Sequence, residues 1–427
     1  MAQNVIADDH RVARHPMPPA RGDRSWLRVG IAVAAVGWGA NQFVPLLLMY
    51  QAKLGLSAAT VQATFGLYAL GLMPGLLLGG PISDRVGRRR VMLVALGTSI
   101  LASVFLVAGG SGLTWLFVGR LIAGIASGAA FSSGAAWIKE LSPVGRSGEA
   151  NSGPRRVTVT VTAGFAGGPL TAGLLAQWAP VPTMVPYLPH LALAVLAVPL
   201  IAGTRETRPA HRRGTLLRQL RIPGVGGRRF RTVVVPLAPW VFGSASVALA
   251  YLPGLVRDRL GGGVLVFAAV IGALTALAGI LVQPLARKVD HPSRPRLIWA
   301  SLAIVVAGLL VAAAAAKESQ PALIVVAAVV LGAGYGCCQV CGLLEVQRLA
   351  GPDNLAGLTA AYQAVTYLGF AVPFLLAAAA QIADAVVLLV VLAALACLTL
   401  VWTTRAAMFK SALAGLTSND ELRGDQA

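Results

Sequence analysis

Gly79-Gly80-Pro81-Ile82-Ser83-Asp84-Arg85-Val86-Gly87-Arg88-Arg89-Arg90 separates two apolar runs of membrane-spanning length. One acid, Asp84, stands among four arginines: Arg85, Arg88, Arg89 and Arg90. Ionised groups are expensive in hydrocarbon, so the stretch reads as a tight loop at a membrane surface. Its arginines place that loop on the cytoplasmic side, where basic connections are retained.

The rest of the chain agrees with a membrane protein. Its 427 residues are 56% hydrophobic and 12% charged. Soluble domains carry about 25% charged residues. The net charge of +19 is spread in short clusters between apolar runs. With no zinc-finger spacing and no basic helix interleaved with aromatics, nucleic acid is excluded as a partner. The four cysteines, Cys337, Cys338, Cys341 and Cys397, lie inside apolar runs and suggest neither disulfides nor metal. No cofactor is expected. The absence of a Gly-x-x-x-x-Gly-Lys-Ser/Thr loop argues against ATP-driven work by this chain alone.

A membrane helix needs about 20 mostly apolar residues. Twelve such runs occur, at about 27–50, 60–80, 91–110, 114–138, 155–177, 183–203, 232–253, 263–285, 297–316, 321–345, 356–379 and 384–404. The expected fold is an all-α integral membrane protein of twelve transmembrane helices in two six-helix bundles. Residues 26–203 and 232–405 are the bundles, 204–231 a basic linker with nine arginines, and 1–25 and 406–427 tails. The first tail is polar, with Pro16, Pro18 and Pro19, and has no apolar core of a signal peptide. Even-numbered connections and both tails hold nearly all the Lys and Arg; the opposite loops hold Lys53, Arg257, Arg259 and Lys317. Both termini are therefore read as cytoplasmic and the chain as a multi-pass protein of the inner (plasma) membrane.

The halves echo each other. Pro81 to Arg88 aligns with Pro284 to His291, and Glu140 with Glu345. Arg287 stands where Asp84 does, which assigns the acid chemistry of this loop to the N-terminal half.

Gly80-x-Ile82-x-Asp84-Arg85-x-Gly87-Arg88-Arg89 resembles the loop motif between helices two and three of the major facilitator superfamily of secondary transporters, with Ile82 where that family has Leu. Two further stretches carry the resemblance. Arg120, followed by Gly124 and Gly128, matches the family's helix-four arginine, assigned to proton coupling or substrate contact. Gly164, Gly168, Pro169 and Gly173 resemble its antiporter motif, with Ala172 replacing the first of the final glycines. The resemblance implies alternating access, and proton-coupled efflux of hydrophobic or amphipathic small molecules. It also implies a conformational charge cluster of Gly80, Asp84, Arg85, Gly87 and Arg88 with the Glu140–Arg146 region, meeting the start of helix eleven near Asn354 to Gly357.

The residues themselves leave alternatives open. An arginine at a helix centre costs roughly 2.5–3.5 kcal/mol, so Arg120 must face a cavity or bond neighbouring carbonyls. No Asp or Glu stands at the centre of a run. Proton coupling could pass through the Asp84 cluster with Arg120, through His190, or be absent. Cavity candidates are Trp38, Asn41, Gln42, Tyr68, Tyr335, Gln339, Tyr362, Gln363 and Tyr367. They describe a weakly polar aromatic site near the midplane between the halves. An importer or facilitator of a small metabolite is the second reading. A membrane sensor or embedded enzyme is the third, and it lacks a soluble domain or catalytic constellation. Expected partners are a small-molecule substrate, protons and the lipid bilayer, for a monomer.

Overall fold

The computed structural model describes residues 24–142, 152–208, 224–291, 294–351 and 354–424. Among them twelve helices are long and apolar enough to cross a membrane. They are α1 (Ser25–Leu54), α2 (Ala58–Val86), α3 (Arg88–Ser111), α4 (Leu113–Glu140), α5 (Gly153–Trp178) and α6 (Val185–Ala202). The second six are α7 (Phe230–Leu255), α8 (Arg257–Val289), α9 (Arg296–Glu318), α10 (Pro321–Leu349), α11 (Gly357–Ala379) and α12 (Ala385–Met408). Backbone groups in lipid must bond within the chain, which is why these apolar runs resolve as helices.

The stretch Gly79–Arg90 is not the loop expected from its charge. α2 continues through Pro81 to Val86, and α3 begins at Arg88. The turn is one residue, Gly87, at φ +100°, a conformation that only glycine adopts without strain. Helix persists through Gly79, Gly80 and Pro81, although none of the three favours it. Asp84 and Arg88 are thereby left at adjacent heights across that single-residue turn. At the other ends, Ser57 caps α2 by accepting the Thr60 N–H at 3.1 Å, and Asp384 caps α12 by accepting that of Val387 at 2.9 Å.

Glycines bring helices into close contact in both halves. Gly124 and Gly128 of α4 lie against the Tyr68–Leu76 backbone of α2, and Gly71 and Gly75 of α2 against Leu121 and Ile125 of α4. The second half repeats this: Gly332 and Gly336 of α10 lie against Thr275 and Gly279 of α8. Small residues let backbones approach where lipid supplies no hydrophobic drive. In α5, Gly164 and Gly168 pack on Ala34 and Trp38 of α1, while Gly173 meets Ala269 of α8. Pro169 lies inside α5, which continues past it.

The helix ladder is irregular inside α1, α7 and α11. α1 tightens to a 3-10 turn at Val44–Leu46, next to Pro45. α7 widens into π-turns at Phe230–Val234 and Val247–Tyr251, and α11 tightens at Tyr367–Ala371 before Pro373. Such turns often accompany functional sites. Three of them, those in α1, α11 and the second of α7, contribute residues to one core cluster that joins the halves.

Candidate functional site

At the end of the bundle that carries Gly87, called here the basic end, Arg88 is the organising cation. Its side chain is 4% exposed. Nη2 donates to Asp84 Oδ1 at 2.6 Å and to Glu140 Oε1 at 3.0 Å, and Nη1 donates to Ser83 Oγ. Arg208 approaches the same two acids, at 3.3 Å from Glu140 and 3.9 Å from Asp84. Thr207 donates its hydroxyl to Glu140. Among the described residues these bonds all lie within the first half and the start of its linker. They bring together Asp84, Arg88 and Glu140 of the expected cluster. The reason is local: α2 and α3 set Arg88 beside Asp84, and the linker folds back over both. Gly80 and Arg85 sit on the last turns of α2. Arg146 lies outside the described residues.

Sequence reading missed Glu206. Its Oε1 accepts the backbone N–H of Arg88 at 3.0 Å and its Oε2 that of Arg89 at 3.0 Å. The carboxylate thus satisfies orphan donors at the N-terminus of α3 and meets the positive end of its dipole. Oε1 also accepts the N–H groups of Thr207 and Arg208, at 3.0 and 3.1 Å. A Cβ on Gly87 would stand 2.6 Å from Glu206 Oε2, so glycine is required there twice over. The available signal was a single acid in a run of arginines.

The second half carries its own cluster, which corrects the assignment of acid chemistry to the first half alone. Glu345, 2% exposed, accepts from Arg229 at 2.8 Å and from Arg348 at 2.6 Å. Arg348 also pairs with Asp290. The acid absent at Arg287 reappears three residues on as Asp290, because α8 ends at Val289 and presents the next residue to α10. Glu140 and Glu345 occupy matching places at the ends of α4 and α10.

Arg120 is 1% exposed. Nη1 donates to Ala40 O at 2.9 Å and Nε to Thr64 O at 3.3 Å. Its guanidinium lies 4.9 Å from the Phe43 ring centroid and 4.6 Å from that of Tyr68. Among the described residues no carboxylate pairs with it. His190 is buried nearby in a polar chain: Ser103 Oγ lies 2.8 Å from Nδ1, Ser99 Oγ 3.2 Å from Nε2, and Gln42 Nε2 donates to Ser103 Oγ at 3.0 Å.

The cavity candidates divide. Tyr68, Tyr335 and Tyr367 join one aromatic cluster that spans the halves. Phe370 of α11 meets Phe65 at 5.1 Å and Tyr68 at 6.1 Å between centroids, and Phe242 of α7 stacks on Tyr367 at 4.7 Å and meets Tyr335 at 5.6 Å. Gln62 Nε2 ties α2 to Ala250 O in the second π-turn of α7 at 2.7 Å. Trp38 covers Gly167, and Asn41 donates to Gly37 O at 3.3 Å. Gln339 and Gln363 are half-buried, and Thr366 donates to the Gln363 backbone. Two candidates are turned away from the joint. Gln42 points to Ser103, and Tyr362, fully buried, packs on Gly342 and donates to Cys338 O at 3.2 Å. The partners these side chains meet, Ser103 and the Cys338 carbonyl, lie inside their own halves.

With this arrangement in view, the sequence profile described as the Major Facilitator Superfamily matches residues 29–373. The chain belongs to this family. It is a multi-pass membrane transporter of the Major Facilitator Superfamily. It is 28% identical over 110 residues to "Dityrosine transporter 1" of Saccharomyces cerevisiae, over 26% of this chain and 19% of that protein. It is 31% identical over 98 residues to "Glucose transporter GlcP" of Staphylococcus epidermidis, over 23% and 22% of the two chains. These matches therefore span about a fifth of each relative. A crystal structure of a mutant of the nucleoside transporter NupG superposes with a TM-score of 0.72 at 12% identity, over 90% of this chain and 99% of that one. At that identity the likeness concerns the fold.

Proposed function

We propose that this Major Facilitator Superfamily member is a proton-coupled exporter of amphipathic small molecules, working by alternating access with its basic end in the cytoplasm. The observation that carries the substrate class is the joint between the halves. Five rings, Phe65, Tyr68, Phe242, Tyr367 and Phe370, close it, and Arg120 lies beneath Tyr68 without a paired carboxylate. Such a site favours a flat apolar body over a sugar, which wants amides and acids. Gln62, Phe65, Tyr68 and Gly173 make contacts between the halves in the part of the bundle away from the basic end. This supports a conformation sealed on the outer side. Export is favoured by the Gly164–Gly173 run, whose last member lies at the α5–α8 contact. The buried His190 chain supports a proton site in the first half.

Everted membrane vesicles test this reading. Proton-dependent accumulation of a lipophilic dye, abolished by an uncoupler, is expected. Accumulation indifferent to the uncoupler would overturn the coupling. The second reading, a facilitator of a small metabolite, is favoured by one observation: among the described residues no Asp or Glu stands at mid-helix. It expects uptake into whole cells without uncoupler sensitivity.

A further inference from the structure

A groove of about 430 Å³ opens on the outer face of the second half at the basic end. Its lining is Val289 at the end of α8, Pro295, Arg296, Trp299 and Ala300 at the start of α9, and Thr404 near the end of α12. The walls are apolar, and two polar groups flank them. Arg296 stands at the mouth, where α9 enters its apolar run. On the α12 side, Thr404 Oγ1 is buried without a hydrogen-bond partner. A buried hydroxyl left unmatched is unfavourable by about 1–3 kcal/mol, so an acceptor or donor belongs beside it. Trp299, 56% exposed, stands one turn inside Arg296, at the level where tryptophans meet headgroups. Trp402 stands on the same helix as Thr404, anchored by Nε1 to Thr232 O at 3.1 Å.

Charge supplies the second constraint. Arg287, Lys288, Arg294, Arg296 and Arg405 are exposed around this end of α8, α9 and α12. Among the described residues none of the five forms an ion pair, because the nearby acid Asp290 is held by Arg348. An apolar trough with an unneutralised cationic rim, placed at the hydrocarbon boundary, matches a molecule with an acyl chain and an anionic head.

We propose that this groove binds one anionic phospholipid, its phosphate on Arg296 and its glycerol-ester region beside Thr404 and Trp299. The site is separate from the joint between the halves. A discrete site, unlike the diffuse attraction of a basic surface, depends also on Thr404 and Trp299, which carry no charge.

The test is native mass spectrometry on the full chain in detergent, titrated with phosphatidylglycerol and, separately, phosphatidylethanolamine of the same acyl chains. One phosphatidylglycerol should be retained at concentrations where phosphatidylethanolamine is not. Arg296→Ala should weaken it about fivefold, the effect of roughly one cationic side chain at a membrane surface. Thr404→Val keeps the side-chain volume and the fold and should also weaken it, whereas Trp178→Ala, an exposed tryptophan at the opposite end, should not. Equal retention of the two lipids overturns the proposal, as does wild-type retention in both Arg296→Ala and Thr404→Val. Displacement of the lipid by millimolar inorganic phosphate would assign the site to free phosphate and overturn it equally.

Discussion

Glu206 Oε1 accepts the backbone N–H of Arg88 at 3.0 Å, across 118 residues of sequence. The linker between the halves therefore closes the N-terminus of α3. Replacing Glu206 by Ala removes this cap and leaves the Arg88 and Arg89 N–H groups to water. The expected loss is about 1 kcal/mol, the usual worth of a cap. It would be read as a lower unfolding midpoint of the purified protein in detergent. Glu206→Gln should retain about half the effect, since an amide oxygen still accepts but carries no charge for the helix dipole.

Gly87→Ala is expected to be worse than loss of the cap. The new Cβ would need a positive φ and would stand 2.6 Å from Glu206 Oε2, so it strains the turn and displaces the acid together. A loss of roughly 2–3 kcal/mol is expected. A drop no larger than that of Glu206→Ala would show that the turn relaxes.

Arg88→Ala removes the buried partner that Asp84 and Glu140 share, leaving them Arg208 and, for Glu140, Thr207. Removing one side of a largely buried ion pair destabilises by about 3 kcal/mol, the lower end of the range because both acids keep some exposure. Arg88→Lys should recover only part of it, because a lysine cannot hold Ser83, Asp84 and Glu140 from one planar fork. Glu345→Gln is the matched experiment in the second half, where Arg229 loses its acid and Arg348 keeps only Asp290. Similar losses in the two halves would support their equivalence.

Phe370→Ala should loosen the joint. Phe370 touches Phe65 and Tyr68 across the halves, and Tyr68 in turn covers Arg120. A cysteine placed by Ala250→Cys, next to the Gln62 contact, should then react faster with an impermeant maleimide added outside, by about fivefold if the ring pairs contribute roughly 1 kcal/mol. An unchanged rate would remove Phe370 from the seal.

His190→Ala leaves Ser99 and Ser103 without their shared partner in a buried chain. A loss of about 1–3 kcal/mol in stability is expected from the unmatched groups. A coupling role adds a second outcome: dye accumulation in vesicles would lose its response to the proton gradient. Lowered stability with an intact gradient response would leave His190 a structural residue.

Much of the architecture was legible in the chain. Apolar length set the number of helices, and the spacing of Gly124 and Gly128 foretold close packing on α4. Asp84 and Arg88 lie four apart and pair, yet nothing in the order of residues shows that Arg208 and Glu206 return to them. Of the cavity candidates, Tyr68, Tyr335 and Tyr367 meet at the joint between the halves. Gln42 and Tyr362 bond inside their own halves, because a polar side chain in an apolar run has two ways to be satisfied, and composition does not choose between them.

Gly79–Arg90 shows where the division falls. By itself the sequence determined that the chain must change direction here, because a block of charge cannot stay in lipid and Gly87 tolerates a positive φ. Only the tertiary structure decided that the change takes one residue and that the acids bond inward. Which acid an arginine meets depends on groups far apart in sequence, and their distances are set by helix packing rather than by local propensity. The same holds for Arg120, whose burial was readable from its surroundings while its bed of carbonyls and rings was not.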